Sequence, residues 1–336
     1  MKKYLENLKI NFTNWKNDKR FKNIDFQNNI PAISIKNYTK KFKEFVAVEN
    51  INMSVSQGKI HGFIGPNGSG KTTIIKTLIG AYLHQNGEIK INKYDAGTIE
   101  ANSLIGYIPE RASFPSHLNC FQYLQSMAEI SGFTSKNAQK KATDILIELK
   151  LLHLSKKNPN KFSSGMQKKI LLAQALLNDP KILILDEPAA NLDPVARKEL
   201  FDVLFTLRNS GKSILISSHI LTELERIVDE VTFIHYGKII YSGDLKSFEN
   251  LEQDVYIKSE NNKKLSKHLN SLGYVTKMNL GNELVVQTMT KELKDELYYN
   301  ISITNIKISV YRSSDLMSIY DYLLKKEERV NINANI

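Results

Sequence analysis

The chain has 336 residues with 42% hydrophobic and 24% charged content, which fits one or two globular domains and excludes a disordered tail or a fibre. Its net charge of +11 favours anionic partners, whether nucleotide, nucleic acid or lipid headgroup, without choosing among them. A single cysteine, Cys120, makes no internal disulfide, and seven histidines without metal-ligand spacing give no reason to expect zinc.

In chain order, residues 1–30 form a basic, Asn- and Lys-rich N-terminal extension without a sustained apolar period. Its opening stretch lacks the apolar core of a secretory signal, and no segment of the chain reaches the roughly 20 apolar residues of a membrane span. A cytoplasmic protein is therefore expected. Short β-like runs follow at Ile33–Ile35, Val46–Val55 and Lys59–Ile64, the last entering a glycine-rich loop. Residues 72–83 carry apolar side chains at helical spacing, which gives strand, loop and helix in succession. Helical periodicity without strand-like runs then dominates residues 115–178, read as a helical subdomain inserted at about 112–180. Nearly all-apolar strands return at Ile182–Leu185 and Ser213–Ser217, as expected of a parallel sheet buried on both faces, and Glu230–His235 is read as the closing strand. From 249 to 336 the texture changes to β-α-β-β-α-β, the ferredoxin-like order, followed by a last helix over Ser314–Glu328.

The chemistry begins at Gly65-Pro66-Asn67-Gly68-Ser69-Gly70-Lys71-Thr72, a G-x-x-x-x-G-K-[ST] phosphate loop between strand and helix and followed by Thr73. Its glycines let backbone N–H groups face phosphate oxygens, Lys71 adds a full charge, and the Thr72 hydroxyl can ligate Mg²⁺. A similar-looking Gly211-Lys212-Ser213 lacks the upstream glycine and precedes a strand, so it is not a second loop. The strand Ile182–Leu185 ends in Asp186-Glu187, which a buried parallel strand delivers to the edge where phosphates bind. Asp186 is assigned to Mg²⁺ and Glu187 to the general base that polarises water. In Phe162-Ser163-Ser164-Gly165-Met166, Ser163 heads a helix, and its hydroxyl with the helix N-terminus can meet a phosphate; a plain helix cap is the simpler reading of that segment alone.

That last segment resembles the signature of the ATP-binding cassette (ABC) family, with Ser163 and Gly165 matching and Ser164 and Met166 departing from its commonest form. Ala189–Pro194, containing Asp193, resembles the family's D-loop, and Ile216–His219 its switch strand, which implies that His219 contacts the γ-phosphate. Lys36–Phe42 resembles the segment whose aromatic stacks on adenine, a role that falls to Phe42. Ile105–Glu110 resembles the Q-loop, with Glu110 where the family usually has glutamine, so that a carboxylate approaches Mg²⁺ or its water.

The resemblance covers about residues 31–248. It implies an α/β fold: a RecA-like P-loop NTPase core with an antiparallel β subdomain and the inserted helical subdomain, joined to a C-terminal α+β ferredoxin-like accessory domain at 249–336. It further implies ATP and Mg²⁺ as ligands and hydrolysis of ATP between two cassettes. The second ABC subunit would be an identical or related chain, acting with separate integral membrane permease subunits at the cytoplasmic face. Ser313–Tyr320 resembles the end segment of drug and antibiotic exporters. The competing expectation is a cassette ATPase working on ribosomes or nucleic acid, disfavoured because the chain has one cassette and no long coiled-coil insertion.

Overall fold

The computed structural model describes residues 24–83, 86–220, 224–245, 253–279, 281–289, 291–304, 306–313, 320, 323 and 324. The chain divides into two compact units, one of residues up to 220 with 227–242, the other of 221–226 with residues from 243 onward.

Along the first unit run β1 (Ile33–Phe42), β2 (Phe45–Val55), β3 (Ile60–Ile64), α1 (Lys71–Leu78), β4 (Asn86–Ile91), β5 (Tyr94–Asp95), α2 (Ile99–Ser103) and β6 (Ile105–Ile108). Then come α3 (Cys120–Ile130), α4 (Ser135–Glu148), α5 (Ser164–Leu176), β7 (Ile182–Leu185), α6 (Pro194–Asn209), β8 (Ser213–Ser218), β9 (Glu230–His235) and β10 (Lys238–Asp244). Six strands form one sheet in the order β10-β9-β3-β8-β7-β6, and its members from β9 to β6 pair in parallel. Every residue of β3, β7 and β8 is buried, which is why β7 and the middle of β8 read as apolar runs, with His61, Ser213, Ser217 and Ser218 the buried polar residues of these strands. A second, antiparallel sheet has the order β2-β1-β4-β5. One hydrophobic cluster joins Ile33, Ile35, Val55 and Ile89 of this sheet to Ile74, Ile75 and Leu78 of α1 and to Phe63, Ile184 and Leu215 of the parallel sheet. Burial of such side chains stabilises by roughly 1.5–3 kcal/mol each, so α1 is anchored from its apolar side while its N-terminus stays at the sheet edge.

The inserted helices start on side-chain caps. Asn119 and Gln122 form a reciprocal capping box at α3, Thr134 caps α4, and Ser163 caps α5 through the Met166 amide.

Several boundaries differ from the sequence expectation for local reasons. The α1 helix stops at Leu78 instead of running to 83, because Gly80 turns left-handed at φ 76° and lies so close to Gly97 that a Cβ would stand 2.8 Å from its Cα. The strand expected at Ile33–Ile35 continues to Phe42 through register shifts around Tyr38, with Asn37 at φ 50°, so irregular pairing hides its alternation. Glu230–His235 is not the last strand of the sheet: Tyr236 and Gly237, at φ 44° and 75°, turn the chain into β10. Residues 24–30, counted with the extension, are docked. Ile24 and Phe26 pack on the hydrophobic cluster, Gln27 and Asn92 exchange hydrogen bonds, and Lys93 pairs with Asp25 at 3.0 Å.

The second unit contains β11 (Gln253–Ser259), α7 (Asn262–Ser271), β12 (Thr276–Met278), β13 (Leu284–Met289), α8 (Lys291–Ser302) and β14 (Ile308–Ser313). The sheet order is β12-β13-β11-β14, with antiparallel pairing throughout. Val255, Ile257, Leu284 and Val286 face Leu265, Leu269, Leu297 and Ile301 of the two helices in a core of their own. This is the ferredoxin-like succession of elements. The helix expected at Ser314–Glu328 lies outside the described residues apart from 320, 323 and 324, which are helical. The same holds for residues 1–23 of the extension.

Candidate functional site

Because β8 lies between β3 and β7, the ends of these strands bring three sequence segments to one place. The loop 65–72 follows β3, Asp186 and Glu187 follow β7, and Ser217, Ser218 and His219 end β8. The loop is tied down by the Gly65 amide on the Ser218 carbonyl (3.3 Å) and by the Gly237 amide on the Ser69 carbonyl (3.0 Å). A Cβ at Gly65 would overlap the Ile234 carbonyl oxygen, and one at Gly70 would stand 2.5 Å from Val48 Cγ1 at a φ of 108°. Gly68 is different: space around it is open, and its φ of 80° is what excludes a side chain. The N-terminus of α1 has no side-chain cap, so its first N–H groups remain available to an anion.

Lys71, buried at the start of α1, donates from Nζ to the carbonyls of Gly65 (2.6 Å) and Pro66 (3.1 Å) and lies 3.4 Å from Glu187 Oε1. The other oxygen of Glu187 accepts from His219 Nδ1 at 2.8 Å. Glu187 itself adopts a left-handed backbone, φ 45°, a sparsely populated conformation for such a residue. Ser217 ties the two acidic residues together, since its Oγ accepts the Glu187 backbone amide (2.9 Å) and donates to Asp186 Oδ1 (2.8 Å). Burial pushes the Asp186 carboxyl above its usual range, hydrogen bonds from Ser217 and Thr72 pull it back, and the charges of Glu187 and Glu110 add to the rise.

These groups border a cavity of about 540 Å³, lined among others by Asn67, Gly68, Gly70, Lys71, Thr72, Thr73, Glu110, Glu187 and His219. Gly65, Pro66, Ser69 and Asp186 belong to the same loop and strand end without lining it. Phe42 is not brought to the cavity: its ring packs edge-on against Tyr82, centroids 5.3 Å apart, with the Lys40 ammonium 5.3 Å from its centre. The aromatic in the lining is Phe45, 68% exposed. Ser163, Gly165 and Asp193 also stand outside the lining. Ser163 caps α5, Asp193 caps α6 through the Val195 and Ala196 amides, and Gly165 packs so tightly that a Cβ would be 2.7 Å from that of Ala196.

Sequence reasoning did not single out Phe45, Ser217, Asn191 or Lys168. Asn191 lines the cavity, and Lys168 is a buried ammonium that donates to the carbonyls of Pro109 (2.8 Å) and Glu110 (2.5 Å). Burial pushes Lys168 down to about 8, against the opposing charges of Glu110, Asp186 and Glu187. A polar residue inside the apolar run of β8 was a readable sign of Ser217; nothing in the helical pattern of α5 marked Lys168.

Two buried polar atoms here, Ser69 Oγ and Glu187 Oε1, have no hydrogen-bond partner within the described residues. With the glycine cradle and the uncapped helix they fit a polyphosphate. No group of three or more His, Cys, Asp or Glu side chains that could hold a metal lies among the described residues. Thr72 and Asp186 suit a cation such as Mg²⁺, which takes one or two protein ligands and fills its shell with phosphate and water oxygens.

A family model described as ABC transporter matches residues 48–190. A putative ABC transporter ATP-binding protein of Mycoplasma pneumoniae is 40% identical over 243 residues, 71% of this chain and 74% of its own length. A lantibiotic transport ATP-binding protein of Streptococcus pyogenes is 33% identical over 221 residues, 66% of this chain and 94% of that protein. Among solved structures, a nucleotide-free ATP-binding cassette from an ABC transporter superposes with a TM-score of 0.59 at 25% identity, covering 66% of this chain and 94% of that one. Identity of this extent to the first relative, on a parallel sheet whose edge carries a phosphate loop and paired carboxylates, establishes that the chain belongs to the ABC transporter ATP-binding proteins, the family whose cassettes bind and hydrolyse ATP.

Proposed function

We propose that this cleft hydrolyses ATP to power transport by separate membrane subunits. The observation that carries the reading is the placement of Glu187 between Lys71 Nζ and His219 Nδ1 at the cavity wall. The loop amides and Lys71 hold the β- and γ-phosphates, and moving Lys71 from the loop carbonyls to phosphate would leave Glu187 free to accept a proton from water. His219 holds the Glu187 carboxylate in line for that attack. Mg²⁺, held by Thr72 and Asp186 with Glu110 nearby, would offset phosphate charge. The adenine would lie towards the β1–β2 turn, where Phe45 faces the cavity and Phe42 stands beside Tyr82.

Ser163, Gly165 and the Asp193 loop would serve the nucleotide of a second ABC subunit, identical or related, so that ATP closes the pair and hydrolysis releases it. In this reading residues 31–248 are the cassette, 1–30 an extension and 249–336 an accessory domain. No helix among the described residues is long and apolar enough to cross a membrane, so permease subunits would supply the passage, with this chain on the cytoplasmic face. The lantibiotic transport relative supports an antibiotic-like compound as the transported substance.

The test is Glu187→Gln. ATP binding should persist and trap a dimer in size-exclusion chromatography, while turnover falls by about 10²–10⁴-fold. Undiminished turnover would remove Glu187 from the role of base.

A further inference from the structure

The first turns of α5 touch two different segments that line the cavity. On one side the Ser164 hydroxyl donates to the Asn191 carbonyl at 2.8 Å, and Gly165 packs against Ala196. On the other, Lys168 reaches into the interior and holds the chain directly after β6 by the carbonyls of Pro109 and Glu110. Asn191 and Glu110 both line the cavity. The helix headed by Ser163 is thus buttoned to the cleft on either side within the same chain.

A buried ammonium is an expensive way to make such a link. Removing a lysine from water is unfavourable unless charges and hydrogen bonds compensate, and an apolar side chain would fill the same volume without that penalty. Here the compensation comes from two carbonyls and from the carboxylates of Glu110, Asp186 and Glu187, whose fields all act on Lys168. Glu110 also contributes negative charge at a wall that must receive a triphosphate.

We infer that Lys168 is a positioning residue for ATP turnover: it fixes the segment carrying Glu110, counters that carboxylate, and transmits the placement of the segment to the helix headed by Ser163. The inference rests on the hydrolytic reading of the cleft given above.

The experiment is a double-mutant cycle in the full chain, with Lys168→Met, Glu110→Gln and both together, and with Lys168→Arg as the charge-retaining variant. Steady-state ATP hydrolysis, binding of a fluorescent ATP analogue and the melting midpoint are measured for each. Lys168→Met should lower kcat by about 10–100-fold while the affinity for the analogue changes little. Lys168→Arg should keep most of the activity. In the Glu110→Gln background the same Lys168→Met change should cost at least about fivefold less. A purely structural lysine holding two carbonyls would not show that coupling, because the carbonyls are present in both backgrounds.

Wild-type kcat in Lys168→Met, or an equal loss in both backgrounds, overturns the inference. Should Lys168→Met fail to fold, Lys168→Gln compared with Lys168→Arg across the same two backgrounds gives the same coupling. Failure of the unaltered chain to bind or hydrolyse ATP would instead overturn the hydrolytic reading, a result visible before any variant is made.

Discussion

The two edges of the parallel sheet use buried polar groups in opposite ways. At the edge where β3, β8 and β7 end, Ser69 Oγ and Glu187 Oε1 are buried without hydrogen-bond partners among the described residues, the latter facing Lys71 Nζ at 3.4 Å, and Glu187 holds a left-handed backbone. At the edge where the same strands begin, charges are paired closely. Arg208 forks onto Asp229 at 2.7 and 3.2 Å, Asp229 also accepts the Ile60 amide at 2.9 Å, and Lys212 meets Asp179 at 2.6 Å and the Pro180 carbonyl at 2.7 Å. The resemblance of Gly211-Lys212-Ser213 to a phosphate loop ends here, with its lysine spent on an internal pair. The edge where the strands begin holds its charges in close internal pairs, although Asn178 Oδ1 there has no hydrogen-bond partner among the described residues; the other sets Glu187, its carboxylate between Lys71 and His219 and its backbone strained, against the cavity.

A crossed pair of substitutions gives this contrast its hardest test. Ser217→Ala removes the hydroxyl shared by the Glu187 amide and Asp186, leaving buried groups without partners at a cost of about 1–3 kcal/mol. Much of that should fall on turnover, with kcat down by about 10–100-fold, because the Asp186 carboxylate and the Glu187 backbone lose their common anchor. Asp229→Ala breaks a two-pronged ion pair and an amide hydrogen bond at the other edge, and should lower unfolding stability by roughly 2–3 kcal/mol in urea. Its kcat, measured well below the melting midpoint, should match that of the unaltered chain. If Asp229→Ala cripples turnover as severely as Ser217→Ala, the two edges are not functionally distinct.

The division was only half legible in the chain itself. Motifs with fixed spacing delivered Lys71, Asp186 and Glu187, since a phosphate loop and an acidic strand end carry their geometry in their residue types, whereas His219 came with the resemblance of Ile216–His219 to the family's switch strand. The buried strands β7 and β8 announced themselves by nearly all-apolar runs and β3 by its entry into the glycine-rich loop, whereas β1 beyond Ile35 was masked by irregular register and β10 by exposed and half-buried residues. Ser217 was seen as part of a motif but not as the bridge between the Asp186 carboxylate and the Glu187 amide, a role that depends on β8 lying beside β7. Strand order is a long-range property that local pattern does not encode. Lys168 was unreadable for a related reason: its partners lie 58 and 59 residues away.

The stabilising edge also makes a prediction about acid. Burial alone would raise the Glu230 carboxyl, but hydrogen bonds from His61 and from Ser56 outweigh it and bring it down to about 2. A carboxyl depressed in the folded state contributes stability that is complete above its unfolded value, near 4.5, and is lost as pH falls towards 2. Stability should therefore decline between these limits, and Glu230→Gln should flatten that part of the curve while lowering the plateau at neutral pH by about 2 kcal/mol. Chemical denaturation at a series of pH values measures both. An acid limb of unchanged steepness in the variant would assign the loss to other carboxylates.

The smallest expected effect concerns the two aromatics at the β1–β2 turn. Phe45 is exposed in the cavity lining, while Phe42 packs edge-on to Tyr82 beside the Lys40 ammonium. An adenine entering the cavity would meet the exposed Phe45 in its lining, whereas stacking on Phe42 would first require release from Tyr82. Aromatic pairs contribute about 0.5–1.5 kcal/mol beyond area burial, so Phe45→Ala should weaken ATP binding by a few-fold up to about tenfold. Phe42→Ala should show a smaller loss of affinity and a lower melting midpoint, because its ring is already engaged within the protein. Titration of both variants with ATP and with an inorganic triphosphate separates the contributions, since only base stacking distinguishes the two ligands. A larger, ATP-specific loss in Phe42→Ala would mean that the turn rearranges on binding and that the exposed Phe45 is not the adenine's platform.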